Sequence, residues 1–304
     1  MTRLVGCLFV FVVLSSALGI LLSLATAGVL DTSQGIIGYA HYPVGRLFGS
    51  LYLLDLARGI RVRIASGIPN FAPLAWSPDG RKLAFADTDG ADYEIYLLDL
   101  TNNRPDGRRA TPLTNNNDQD VFPAFSPNSH QVVYQAYRNG RYDLYAVDID
   151  EGHETQLTNH DNYEYAPAWS PDGQYIAFAS IPDARGYGLY VLNLATLSVN
   201  YLADLPGRSM VVWSPDGLHL AFSPTDRAGV YRVELALVYP IQLNHDLRPR
   251  QDGGRVAWSP DGTRLVVASD HEGFSALYVL SADGSSLQRI LVDDGFLASP
   301  AWFP

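Results

Sequence analysis

The chain has 304 residues, a formal net charge of −11, and a composition that is 47% hydrophobic and 17% charged. That acidic balance excludes a nucleic-acid ligand, which needs a basic face, and disfavours docking onto anionic lipid headgroups. The apolar content excludes wholesale disorder. The single cysteine, Cys7, excludes disulfides and thiolate metal sites from the folded part.

In chain order, the first element is apolar. No charged residue occurs from Leu4 to Leu30, more than the ~20 apolar residues that cross a bilayer. Arg3 on the short side of this run places the N-terminus inside and the rest outside. Ala25-Thr26-Ala27 before Gly28 fits a small-residue cleavage site, whereas the length of the run favours an uncleaved anchor. Residues 1–30 are therefore expected to be a signal peptide or a membrane anchor, and 31–304 an extracytoplasmic domain. Cys7 lies too early to be a lipoprotein acceptor.

The remainder repeats. Ala75-Trp76-Ser77-Pro78-Asp79-Gly80 recurs with its Trp at 169, 213 and 258, and in decayed form as Ala124-Phe125-Ser126-Pro127-Asn128-Ser129. The aromatic positions 76, 125, 169, 213, 258 and 302 are spaced by 49, 44, 44, 45 and 44 residues, the length of one four-stranded propeller blade. In each unit a short first strand ends at the aromatic. Ser-Pro-Asp-Gly makes a tight turn, in which proline presets φ and glycine takes the left-handed position. A second strand follows, as in Lys82–Ala86 and Tyr175–Ala179. Asn139-Gly140 marks a two-residue hairpin. The third strands carry Tyr52, Tyr96, Tyr145, Tyr190, Tyr231 and Tyr278. The fourth end in phrases such as Leu113-Thr114, Leu157-Thr158 and Leu243-Asn244.

The first unit begins at a second strand, Ile36–Ala40, and the chain stops in a first strand, Pro300–Pro304. The last piece supplies what the first unit lacks, and closing the ring removes exposed sheet edges. The expected fold is all-β: one six-bladed β-propeller sealed by its C-terminal strand, after an N-terminal hydrophobic export or anchor helix.

The Pro-x-Trp-Ser-Pro-Asp-Gly…Ile-Ala-Phe…Leu-Tyr-x-x-Asp…Leu-Thr pattern resembles the TolB-type propeller repeat, related to WD-repeat proteins, over roughly residues 35–304. The resemblance implies a periplasmic or otherwise extracytoplasmic binding platform. The N-terminal domain that TolB carries is not expected here, so the resemblance does not extend to a role in the Tol–Pal envelope system. Related propellers are attached to peptidases, but no Gly-x-Ser-x-Gly elbow occurs in this sequence.

The repeated Asp79, Asp172, Asp216 and Asp261 read as turn residues rather than a carboxylate array, and the Trp residues as inter-blade packing. The connections from each fourth strand to the next first strand cluster on one face around the channel, where propeller function sits. There Asp118, Asp120, Asp161, Glu164, Asp293 and Asp294 form an acidic sector. Arg208, Arg248 and Arg250 form a basic one, with Phe122, Tyr163 and Tyr165 between. Asn159-His160-Asp161 and Asn244-His245-Asp246 contain metal-ligating residue types, but they are two blades apart and read as turn caps. No metal or cofactor is expected. The expectation is a monomeric, non-catalytic, protein- or peptide-binding module at the cell envelope, reaching the membrane through residues 1–30 if these are uncleaved. A metal-assisted polysaccharide lyase using the channel face is the alternative.

Overall fold

The computed structural model describes residues 34–69, 74–88, 92–101, 110–181, 186–224, 227–247 and 256–303. The expected export or anchor helix falls outside them, as do Arg248 and Arg250. The described residues form six four-stranded antiparallel sheets.

The first sheet holds β1 (Ile36–Tyr42), β2 (Phe48–Asp55) and β3 (Ile60–Pro69); the second β4 (Ala75–Trp76), β5 (Lys82–Thr88), β6 (Tyr93–Asp99) and β7 (Thr111–Pro112). The third holds β8 (Gln119–Phe125), β9 (Gln131–Arg138), β10 (Arg141–Asp148) and β11 (Glu154–Gln156). The fourth holds β12 (Tyr163–Trp169), β13 (Tyr175–Ile181), β14 (Gly188–Asn193) and β15 (Ser198–Asp204). The fifth holds β16 (Ser209–Trp213), β17 (His219–Pro224), β18 (Val230–Glu234) and β19 (Pro240–Asn244). The sixth holds β20 (Val256–Trp258), β21 (Arg264–Ser269), β22 (Ser275–Ser281) and β23 (Leu287–Asp293), and the last strand is β24 (Phe296–Phe303).

β24 does not extend the sixth sheet. It pairs antiparallel with β1, from Ile36 opposite Phe303 to Tyr42 opposite Phe296, and becomes the innermost strand of the first blade. The closure read from the sequence is thus present. Phe303 packs edge-on against Trp76 of the second blade, ring centroids 5.2 Å apart.

Second strands are covered by a neighbouring blade on each side, so their apolar residues run continuously instead of alternating. Val132 to Ala136, Ile176 to Ser180 and Leu265 to Ser269 are buried without interruption. In five blades the third-strand tyrosine stacks on an aromatic directly across the ladder: Tyr39–Tyr52, Phe85–Tyr96, Tyr134–Tyr145, Phe178–Tyr190 and Phe222–Tyr231. Each pair adds specific ring contact to the burial.

The Ser-Pro-Asp-Gly segments form the expected turns. Ser77 Oγ donates to Asp79 Oδ1 at 2.6 Å and accepts from the Lys82 N–H at 2.8 Å, while Gly80 adopts φ 66°. Ser170–Asp172, Ser214–Asp216 and Ser259–Asp261 repeat the arrangement. In the decayed copy Ser129 takes the left-handed place of glycine at φ 62°. Asn139 and Gly140 both have positive φ, 54° and 85°, as a type I′ hairpin requires. The Leu113-Thr114 and Leu157-Thr158 phrases lie just beyond the short strands β7 and β11 rather than inside them.

Three inner-strand residues depart from the repeat. Phe122, Ala166 and Ser299 each sit three positions before the aromatic and have φ of 58°, 50° and 46°. Register shifts occur at the same places. These are β-bulges, which add one residue and re-aim the strand beyond it. The bulges bond to neighbouring blades: the Ala166 N–H donates to Gln135 Oε1, and Ser299 Oγ accepts from the Leu74 N–H, each at 3.0 Å.

Candidate functional site

First strands run toward the Ser-Pro-Asp-Gly turns, so their starts, with the connections preceding them, open on the opposite face around the channel. On blades 3 to 5 that mouth is aromatic. Tyr137 and Tyr142 face each other across the Asn139-Gly140 hairpin, centroids 4.9 Å apart. Tyr142 continues to Tyr165 at 5.9 Å, and Tyr165 lies parallel to Tyr163 at 6.4 Å. The Arg208 guanidinium, just before β16, lies 5.2 Å from the Tyr165 ring and 5.6 Å from that of Phe122. A side chain of blade 5 thus meets rings from blades 3 and 4. Burial raises the Tyr142 and Tyr165 hydroxyls above the usual tyrosine range, with Arg208 opposing the shift in both. They remain neutral donors throughout the physiological range.

Of the residues singled out in the sequence, the structure brings Phe122, Tyr163, Tyr165 and Arg208 together. Tyr137 and Tyr142 were missed. Their signal was available: both flank Asn-Gly, which places them directly opposite each other in a hairpin.

The acidic sector needs correction. Asp120 and Glu164 are 0% and 1% exposed and lie beneath the rim. The bulges that follow them turn the strands so that these carboxyls face the neighbouring blade. Asp120 Oδ2 accepts from Asn116 Nδ2 at 2.8 Å, and its Oδ1 has no hydrogen-bond partner, with Arg138 at 3.6 Å. Glu164 accepts from the Thr158 hydroxyl, with His160 Nδ1 at 3.4 Å. Burial pushes the Asp120 carboxyl up to about 7 and that of Glu164 up to about 8. Near neutrality Glu164 is therefore largely protonated and Asp120 about half so, and since both are buried the surface acidity of the mouth on these blades comes from Asp118 and Asp161.

Asp118 lies 3.3 Å from Arg138 Nε, and the fully exposed Asp161 lies 3.5 Å from Arg141. His245 and Asp246 are exposed on the connection after β19. There Asn244 Oδ1 caps the turn by accepting from the Asp246 and Leu247 N–H groups at 2.9 and 2.8 Å, so this Asn-His-Asp phrase is a local cap.

Asp293 and Asp294 lie elsewhere on the face, beside His41 of β1. Nitrogen and carboxylate atoms of these three residues lie within 4.8 Å of one another, the one such grouping among the described residues. Arg61 binds Asp293 directly, and His41 Nε2 is 3.1 Å from its Oδ1. Burial would raise Asp293, but hydrogen bonding with the Asp294 side chain and Arg61, together with His41, outweighs it and holds the carboxyl below the usual range. The guanidinium already supplies the positive charge that a cation would bring.

A concave surface lies on the turn face between blades 4 and 5. It is a groove of about 740 Å³ lined by Val191, Leu202, Trp213, Leu218 and Leu235, with Asp172 and Asp216 at its edge.

Comparison with known proteins agrees with this architecture. The model of the TolB beta propeller domain (PD40) matches residues 33–185 and 103–248. An uncharacterised protein of Agrobacterium fabrum is 24% identical over 101 residues, 33% of this chain and 32% of that protein. The chain thus matches about a third of the length of this curated relative. The crystal structure of TolB from Acinetobacter baumannii superposes with a TM-score of 0.72 at 21% identity, over 94% of this chain and 71% of that one. An oligogalacturonate lyase in complex with manganese superposes with a TM-score of 0.53 at 16% identity, over 84% of this chain and 73% of that one. At these identities the structural likeness is one of fold. With the repeat, the closed ring and the family match in agreement, the chain belongs to the TolB beta propeller domain family.

Proposed function

We propose that this protein is a non-catalytic, extracytoplasmic binding platform whose channel mouth on blades 3 to 5 captures a protein or peptide segment. The observation that carries the reading is the convergence of Phe122, Tyr142, Tyr163, Tyr165 and Arg208 from three blades at one end of the channel. Tyrosine and arginine dominate interface hot spots because each offers large contact area with a polar handle. Tyr137 and Tyr163 are 40% and 41% exposed, so their faces are open to a ligand. The uncharged run from Leu4 to Leu30 supports export, as does the likeness to TolB.

The test is site-specific photocrosslinking in an envelope fraction. A crosslinker at Tyr163 should trap a discrete partner that Arg208→Glu abolishes, and one at Leu218 on the turn face should not. Equal trapping from both positions, or trapping indifferent to Arg208→Glu, refutes the placement.

The lyase reading draws on the grouping of His41, Asp293 and Asp294 and on the manganese-bound lyase of similar fold. The ion pair from Arg61 to Asp293 argues against it. Stoichiometric manganese in the purified protein, lost in His41→Ala, would restore that reading.

A further inference from the structure

We propose that two carboxylate pairs, one across the seam between blades 2 and 3 and one between blades 3 and 4, are proton-held latches. They fix the channel mouth in mild acid and loosen it as the surroundings turn alkaline. This rests on the reading of blades 3 to 5 as the binding face, whose strands the latches hold.

Both latches have the same parts. A carboxylate near the start of a third strand, Glu94 or Asp143, faces a carboxylate on the inner strand of the next blade, Asp120 or Glu164. All four residues are at most 4% exposed. Between each pair stands a threonine from the fourth-strand exit. Thr114 Oγ1 accepts from the Ile95 N–H and Thr158 Oγ1 from the Leu144 N–H, each at 2.9 Å. A hydroxyl carries one proton, and each threonine gives it to one carboxylate only: Thr114 to Glu94 at 2.5 Å, Thr158 to Glu164.

The partners must find donors elsewhere, and they do so incompletely. Glu94 also accepts from the Asn116 N–H at 2.5 Å. Asp120 is left with the Asn116 amide, a guanidinium at 3.6 Å and the neighbouring Thr114 hydroxyl, whose proton Glu94 holds. Asp143 takes Arg141 Nε at 3.1 Å and Gln156 Nε2 at 3.2 Å. Asp120 Oδ1 and Asp143 Oδ1 are buried without a hydrogen-bond partner.

The remaining charges facing the pairs are committed. Arg138 of β9 divides itself among Asp118, Asp120 and Glu154 and stacks on Tyr145, while Tyr134 of the same strand donates to Glu154. Arg141 is shared among Asp143, Asn159 and Asp161, and the exposed His160 stands 3.4 Å from Glu164. Two like charges at each seam are therefore under-compensated once both carboxyls ionise. One proton per pair removes the conflict.

The fold does not demand this arrangement. At the position two before the third-strand tyrosine, where these blades have Glu94 and Asp143, the others have Gly188, Gly229, Ala276 and Ser50. The latches occur only at the seams whose inner strands, β8 and β12, carry Phe122, Tyr163 and Tyr165. Both strands are bulged two residues after the latch carboxylate, as β24 is two residues after Leu297. Burial gives the sign and window: Asp120 keeps its proton to about 7 and Glu164 to about 8. Above that range each of these two carboxyls ionises in place, against the carboxyl it faces across the seam.

Carboxyl-labelled protein, full chain, titrated by NMR tests the idea without any ligand. One Asp and one Glu resonance should titrate between pH 6 and 9, the first missing in Asp120→Asn and the second in Glu164→Gln. Amide exchange in β8 and β12, corrected for its intrinsic pH dependence, should rise at least about tenfold between pH 6 and 9, the population change for one pK unit. Exchange in β21 should not rise. In Glu164→Gln the rise in β12 should vanish, and this variant alone suffices if Asp120→Asn does not fold. If every carboxyl titrates below pH 5.5, or β8 and β12 follow β21, the proposal fails. Neither result touches the binding reading, which the crosslinking experiment tests separately.

Discussion

Replacing Phe303 with alanine asks whether the ring is held shut by the strand that closes it. The side chain is 7% exposed and sits at the seam between blades 1 and 2. It stands edge-on to Trp76 at 5.2 Å and packs in one cluster with Ile36 and Leu53. Removing a buried phenylalanine costs about 3–5 kcal/mol, the transfer loss plus the cavity left behind. Against a typical stability of about 5–15 kcal/mol, that is a large share.

The loss falls where the last strand meets the first, so the variant also weakens the hold of β24 on β1 and exposes the β1 edge to other chains. Urea unfolding followed by tryptophan fluorescence, with Trp76 at that seam and Trp302 on the opposite face of β24, should show a lower midpoint. Size-exclusion profiles should show concentration-dependent self-association. Leu47→Ala, 66% exposed on the same blade, should stay within about 0.5 kcal/mol of the parent. A Phe303→Ala unfolding free energy within about 1 kcal/mol of the parent, with no self-association, would refute closure by β24 as the source of stability.

Stability should also depend on pH in a defined sense. The folded state keeps protons on Asp120 and Glu164 that the unfolded chain releases near pH 4, so each contribution is complete below pH 4 and is lost as pH rises toward 7 or 8. In the opposite sense, hydrogen bonds from Ser259 and the Thr263 N–H hold Asp261 down to about 2, and that contribution is lost below pH 4. Urea midpoints at pH 3, 4.5, 6 and 8 should therefore peak near 4.5; a maximum at pH 8 contradicts the burial argument. Gly217→Ala places a Cβ at φ 71°, with Pro171 Cδ 3.9 Å away as the nearest atom. The cost is then backbone strain alone, about 1–2 kcal/mol by thermal unfolding, and a neutral substitution would mean that the turn relaxes. Ser214→Ala removes a hydroxyl that both donates to Asp216 and accepts from the His219 N–H. It should cost about 1–3 kcal/mol, and Asp216→Asn should cost less.

Much of the fold could be read without coordinates because each blade is specified locally. The Ser-Pro-Asp-Gly turns, the third-strand tyrosines and the 44- to 49-residue spacing each depend on residues near one another in the chain, and the missing first strand named its own replacement at Pro300–Pro304. The proposed binding face was less legible. Phe122, Tyr165 and Arg208 lie on three different blades, and no local pattern announces that one guanidinium stands against two of those rings.

Asp120 and Glu164 read as surface acids because they occupy connections that are polar in sequence. The structure buries them for a specific reason: a one-residue bulge reverses which side chains of an inner strand face the neighbouring blade. The sequence by itself determined the blade count, the turn chemistry and the order of closure, since these follow from period and short-range geometry. Only the packing of one blade on the next decided which carboxyls lose water and which aromatics share the channel mouth, because burial at a seam belongs to two blades at once.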